Sequence, residues 1–224
     1  MLGRIVNKLR GQHLTGLKDG RERSRDEIHE YWQAPSDGSN KPTDYVDPQG
    51  GQQRSRLLLS LVEGAASPSD AILEVGTNVG RNLHHLYTNS YTNLTGIEIS
   101  AEAVAELRRQ YPDTAANARI LNQPAEEALL SFSDREFPLV FTMAVLVHIH
   151  PDSAGIVFPE IARVADRTLI VIEDERSVHS WRHFQRNYQE VFEPLGFRQV
   201  REEPCNRETH GLPSEYQLRI FERA

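Results

Sequence analysis

The stretch ILEVGTNVGRNL, Ile72 to Leu83, sets an apolar, β-branched run ahead of a carboxylate and two glycines, and a polar helix start follows. Strand, glycine-bearing turn and helix in that order form the first crossover of a parallel sheet, and in such sheets ligands bind at the carboxyl ends of the strands. A turn made for a dinucleotide needs G-x-G-x-x-G, so that a pyrophosphate can approach the helix N-terminus. Gly76-Thr77-Asn78-Val79-Gly80-Arg81 lacks two of those three glycines. The turn is in the expected place but was not made for that ligand.

Downstream of this turn the pattern alternates. LTGIEI reads as a strand, AEAVAELRRQYP as a helix, ARIL as a strand, AEEALLSF as a helix, PLVFTMAVL as a strand, SAGIVFPEIARVA as a helix and TLIVIED as a strand. Short apolar runs alternating with helical periods predict βαβ units, a parallel sheet and helices on both faces: the α/β class. A helix is expected over residues 181–195. FRQVREEP and EYQLRIFER then follow as alternating strands with no helix between them, so they are expected to pair antiparallel at one end of the sheet. Upstream, a helix is expected from about Gln53 to Glu63, and Ser36 to Gln52 is dense in turn formers and reads as a lid-like loop. The expected division is an N-terminal appendage, 1–52, and a main domain, 53–224.

The chain has 224 residues, a length that suits one main domain with a short appendage. Its formal net charge of −7 argues against a protein that lives on phosphate backbones, so no nucleic-acid partner is expected. No run approaches a membrane span, the N-terminus lacks the apolar core of a signal peptide, and the single Cys205 forms no internal disulfide; a cytoplasmic protein is expected. Leu2, Ile5, Val6 and Leu9 share one helical face, with Arg4, Lys8 and Arg10 elsewhere. Such a face fits a packed terminal helix, or peripheral contact with an anionic membrane or a partner. Oligomeric state is not readable from the pattern.

The turn resembles the first motif of the class I S-adenosylmethionine-dependent methyltransferases, E/D-x-G-x-G-x-G, matched by Glu74, Gly76 and Gly80 with Asn78 at the middle glycine. Asn tolerates the left-handed conformation better than most residues. The resemblance implies a Rossmann-like, seven-stranded, mostly parallel sheet with an antiparallel C-terminal pair, and S-adenosylmethionine as cofactor. In the family the outer glycines admit the amino-acid end of the ligand. The acidic residue ending the next strand, here Glu98, takes both ribose hydroxyls. A third element reads adenine, for which Asn122, Gln123 and Ala125 are the candidates. FPLVFTMAVLVHIHPD is similar to the family's fourth-strand segment, with Pro138 where an Asp is usual; it sets Thr142 and Met143 beside the methyl donor and brings His148 and His150 as candidate bases. A narrower similarity, to methylases associated with pseudaminic-acid biosynthesis, suggests a small polar acceptor of a sugar or surface-glycan kind.

The cluster after the fifth strand, with Glu173, Asp174, Glu175, His179, Trp181, Arg182 and His183, lies where the family builds its acceptor site. Glu173 is the foremost candidate there for removing a proton, alongside His148. Tyr31, Trp32 and Tyr45 flank the turn-rich loop and suit a lid that excludes water, or aromatics that pin the appendage to the core. No residue set points to a metal, because adjacent Glu173 and Asp174 project to opposite faces of a strand. Two other readings remain at this stage: a methyltransferase-like protein that binds the cofactor without catalysis, and a nicotinamide-dependent oxidoreductase.

Overall fold

Ile72–Val75 forms β1, and all four of its residues are buried. Leu73 and Val75 point into one apolar layer and Ile72 into the other, as the two-residue repeat of a strand covered on both faces requires. The computed structural model describes residues 23–35, 40–46, 52–177 and 180–224. Around β1 the sheet adds β2 (Leu94–Ile97), β3 (Arg119–Leu121), β4 (Phe137–Met143), β5 (Ala165–Asp174), β6 (Phe197–Pro204) and β7 (Tyr216–Arg223). The strand order is β3-β2-β1-β4-β5-β7-β6. β1 to β5 run parallel, and β7 lies antiparallel between β5 and β6. The order reverses between β1 and β4, so a crevice opens at their carboxyl ends.

Helices cover both faces: α1 (Arg25–Gln33), α2 (Gln52–Glu63), α3 (Arg81–Thr88), α4 (Ala101–Gln110), α5 (Pro112–Asn117), α6 (Ala125–Ala128), α7 (Pro151–Val164) and α8 (Tyr188–Phe192). One core layer gathers Val140, Leu169, Phe158, Tyr188 and Phe192; the other gathers Leu58, Leu83, Phe141, Ile170 and Leu218. The helix starts are chemically specified. Ser24 and Glu27 form a reciprocal cap on α1, and the Ser100 hydroxyl accepts from Ala103 N on α4.

Two elements depart from the sequence reading. The helix expected over 181–195 shrinks to Tyr188–Phe192, because the residues before it use their backbone to dock. Ser180 and His183 pair with each other, Phe184 N donates to the Val147 carbonyl at 2.7 Å, and Asn187 then caps the short helix. Pro112, read as the end of a helix, instead opens α5 from the first-turn position where its missing N–H costs nothing. The amphipathic face at residues 2–10 lies outside the described residues. So does most of the lid-like loop, of which Pro42–Tyr45 forms a single tight turn.

Candidate functional site

The crevice between β1 and β4 deepens into a cavity of about 420 Å³. Its inner half is built from the β1–α3 turn, the end of β2 and the loop after β4. Gly76 and Asn78 are both left-handed, with φ of 79° and 49°. A Cβ on Gly76 would come within 2.4 Å of Val145, so the turn and the β4 loop approach too closely for any side chain. Gly80, φ 73°, starts α3 where a Cβ would strike Leu107; it shapes the turn without lining the cavity.

Two carboxylates brace this half. Glu74 accepts from Thr77 Oγ1 at 2.5 Å and from Asn82 Nδ2 at 2.8 Å, and Ser55 of α2 donates to Asn82 Oδ1. Burial pushes the Glu74 carboxyl up to about 7 against these hydrogen bonds. Glu98 accepts from Asn78 N at 2.7 Å and Ser100 N at 2.8 Å, and burial raises its carboxyl as well. The side-chain Oδ1 of Asn78 is buried without a partner among the described residues.

The Glu74 shift has a consequence for stability. A folded-state value near 7 lies above the ordinary 4.5, so the folded protein holds this proton more tightly than the unfolded chain does. The resulting stabilisation is complete below about 4.5 and is lost as pH climbs through about 7. Glu74→Gln, neutral throughout, is therefore expected to flatten part of the fall in thermal midpoint between acidic and neutral pH. Glu173, raised to about the same value, and Glu98, also raised by burial, keep the remainder of the slope. Thermal scans across that range check it; an unchanged slope would refute the assignment.

Of the other residues expected to hold a cofactor, Gln123, Ala125 and Met143 line the cavity. Asn122 and Thr142 do not. Asn122 donates to the carbonyls of Glu98 and Ile99 and so fixes the strand end, while Thr142 is fully buried.

The outer half is walled by α1, the Pro42–Tyr45 turn and the segment after β5. Trp32, Tyr45, Arg54, His148, Asp174, Arg182, His183 and Tyr216 converge there. His148 sits 2.9 Å through Nδ1 from the Arg182 carbonyl, and a carbonyl only accepts, so Nδ1 carries the hydrogen and Nε2 keeps its lone pair. Burial, then the neighbouring His183, lowers His148 to about 3, leaving a neutral imidazole. His183 is lowered too, first by burial. His150 is occupied differently: it caps α7 through Nδ1, and its Nε2 bonds the Arg23 carbonyl. Trp32 packs on His148 with ring centres 4.3 Å apart, and Arg182 donates to Tyr31 Oη at 2.7 Å.

Glu173 does not reach the outer half of the cavity. It is fully buried, absent from the cavity wall, and its carboxylate accepts from Val145 N at 3.0 Å and Val147 N at 3.3 Å. Of the two adjacent acids it is Asp174 that faces the cavity. Arg186, which the sequence did not single out, grips the same loop from its other pole, donating to the carbonyls of Leu146 and Ile149. His179 lies outside the described residues. Asn82 was also missed; its signal was a polar residue in the first turn of the helix that follows an apolar strand.

Residues 72–167 match the family described as a methyltransferase domain. No curated protein sequence matches the chain. Among solved structures, magnesium protoporphyrin IX methyltransferase (ChlM) from Synechocystis PCC 6803 with bound SAM is similar at a TM-score of 0.65 and 16% identity, covering 92% of this chain and 99% of that one. Geranyl diphosphate C-methyltransferase from Streptomyces coelicolor A3(2) gives a TM-score of 0.60 at 13% identity, over 89% and 98% of the two chains. The Burkholderia thailandensis 1,6-didemethyltoxoflavin-N1-methyltransferase gives 0.62 at 16%, over 89% and 87%.

Proposed function

We propose that this chain, a class I S-adenosylmethionine-dependent methyltransferase in family and fold, moves the methyl group to a small polar acceptor held in the outer half of its cavity. The observation that carries the cofactor reading is the charge of the inner half. Glu74, Glu98 and the unpartnered Asn78 Oδ1 are all acceptors. They suit a cationic ligand with ammonium and hydroxyl donors, and they oppose a pyrophosphate, which would set acceptor against acceptor. The nicotinamide reading loses its ligand on this ground.

Bound there, S-adenosylmethionine supplies an electrophilic methyl carbon on a sulfonium. The chain's own contribution is alignment, worth on the order of 7 to 11 kcal/mol when geometry is ideal. Glu98 would take the ribose hydroxyls, the Gly76–Asn78 turn the amino-acid end, and Gln123 with Ala125 the adenine side. Met143 and Ala144, which line the cavity at the end of β4, would stand between donor and acceptor. His148, its tautomer fixed by the Nδ1–H bond to the Arg182 carbonyl, would accept a hydrogen bond at Nε2 from the acceptor's hydroxyl or amine and orient it, and its low proton affinity would pass the released proton on to water. Glu173 acts on that step only by fixing the loop that ends at His148. The N-terminal segment, with Trp32 and Tyr45 in the cavity wall, would serve as the lid that keeps water out.

Structural neighbours act on a porphyrin, a prenyl diphosphate and a toxoflavin precursor, so the scaffold leaves the acceptor open. The test is calorimetric titration with S-adenosylmethionine, S-adenosylhomocysteine and NAD, followed by transfer of labelled methyl to pooled small-molecule acceptors. Micromolar binding of the sulfur ligands with transfer is the expected result. Binding without transfer to any pool would favour a non-catalytic binder, and binding of NAD alone would overturn the proposal.

A further inference from the structure

Arg54 stands out in the outer half. It lines the cavity from the first turn of α2, and its neighbour Ser55 anchors that helix to Asn82 and so to Glu74. The backbone at Gly211 comes close to its aliphatic stem, since a Cβ added there would lie 3.4 Å from Arg54 Cγ. The Nε is enclosed with no partner, and no hydrogen bond or ion pair engages the guanidinium among the described residues. A cation set in a cavity wall without a counter-ion is costly unless a ligand supplies one.

The carboxylates of the cavity do not fill that role. Glu74 is held by Thr77 and Asn82, Glu98 by backbone N–H groups, and Glu126 by His29 and Ser153. Asp174 accepts from Arg176 N and Ser177 N. Arg182, the other cation of this half, is bonded to Tyr31 and lies over the rings of Tyr31 and Trp181. Arg54 instead has the phenols of Tyr45 and Tyr216 for company, and its charge acts on both.

We propose that the acceptor carries an anionic oxygen group, a carboxylate or a phosphate, that pairs with Arg54, while its body rests among Tyr45, Tyr216 and Trp32. The planar guanidinium fork matches either oxyanion, and such pairs are the stronger charge-assisted hydrogen bonds. The inference rests on the methyltransferase reading and sharpens its substrate class from polar to acidic.

The test uses the full chain saturated with S-adenosylhomocysteine, titrated with para-hydroxybenzoate, phenyl phosphate and the uncharged para-hydroxybenzamide. At least one anion is expected to bind about tenfold more tightly than the amide, and which one does so separates carboxylate from phosphate. Arg54→Gln is expected to erase that preference while leaving amide and S-adenosylhomocysteine binding within about twofold, and Arg54→Lys to restore part of it. Equal binding of acid and amide, or no Arg54-dependent binding of either anion, would overturn the inference. So would weaker S-adenosylhomocysteine binding by Arg54→Gln, which would put the guanidinium on the donor's own carboxylate. Failure of the wild-type chain to bind S-adenosylhomocysteine would instead remove the methyltransferase reading beneath it.

Discussion

Glu98→Ala is expected to weaken binding of S-adenosylhomocysteine by about 100-fold, roughly 2.7 kcal/mol. A carboxylate that accepts two hydroxyl donors in a buried cleft makes charged hydrogen bonds worth about 1.5–3 kcal/mol each, less the cost of desolvating it. Here that cost is already met in the folded chain, because Glu98 is buried beforehand and held by Asn78 N and Ser100 N. The same bonds create a rival explanation: the variant would also release the left-handed Asn78 and loosen the turn. A double-mutant cycle separates the two. A ligand analogue lacking the ribose hydroxyls should bind the wild type about as weakly as the parent ligand binds Glu98→Ala, and should lose little more in the variant. Losses that simply add would leave Glu98 as a brace for the turn and nothing else. A drop under about fivefold with the parent ligand would sink the assignment altogether.

The parts of this site that were legible in the sequence are those in which one backbone conformation forces one residue type. Gly76 must leave room for Val145 and Gly80 for Leu107, so glycine appears at both and the motif can be read. Strand periodicity placed Glu98 at the end of β2 and Met143 at the end of β4, because apolar runs of that length end where the sheet ends. Side-chain direction was not legible in the same way. Asn122 turned back on the carbonyls of its own crossover, and its neighbour Gln123 faced the cavity. Glu173 and Asp174 both sit at the end of β5, and only the three-dimensional pairing with β7 and the β4 loop decides which one the cavity sees. Arg186 was invisible for a related reason. The segment before α8 reads as helix by its composition, yet its backbone and its arginine are engaged by a loop forty residues upstream in sequence from Arg186.

Glu173→Ala is expected to cost about 3–5 kcal/mol of stability, a fall in thermal midpoint of roughly 6–20 °C for a chain of this size. The loop after β4 turns sharply, with Ala144 left-handed at φ 60°, and this leaves successive N–H groups pointing inward with no strand to pair with. Glu173 accepts from them, and Arg186 donates to carbonyls of the same loop, so opposite charges hold opposite poles of one turn. Removing the carboxylate strands those donors in a dry environment and takes away a carboxylate whose charge acts on the buried Arg186. The damage should travel to the site, because Val145 closes over Gly76 and His148 ends the same loop. Affinity for S-adenosylhomocysteine should therefore fall along with stability. Glu173→Gln separates bracing from proton transfer. If Glu173 braces the loop, the amide loses stability, since its NH₂ would face backbone N–H donors, and the surviving folded fraction still turns over. A variant with unchanged thermal midpoint and no turnover would return Glu173 to the reacting atoms.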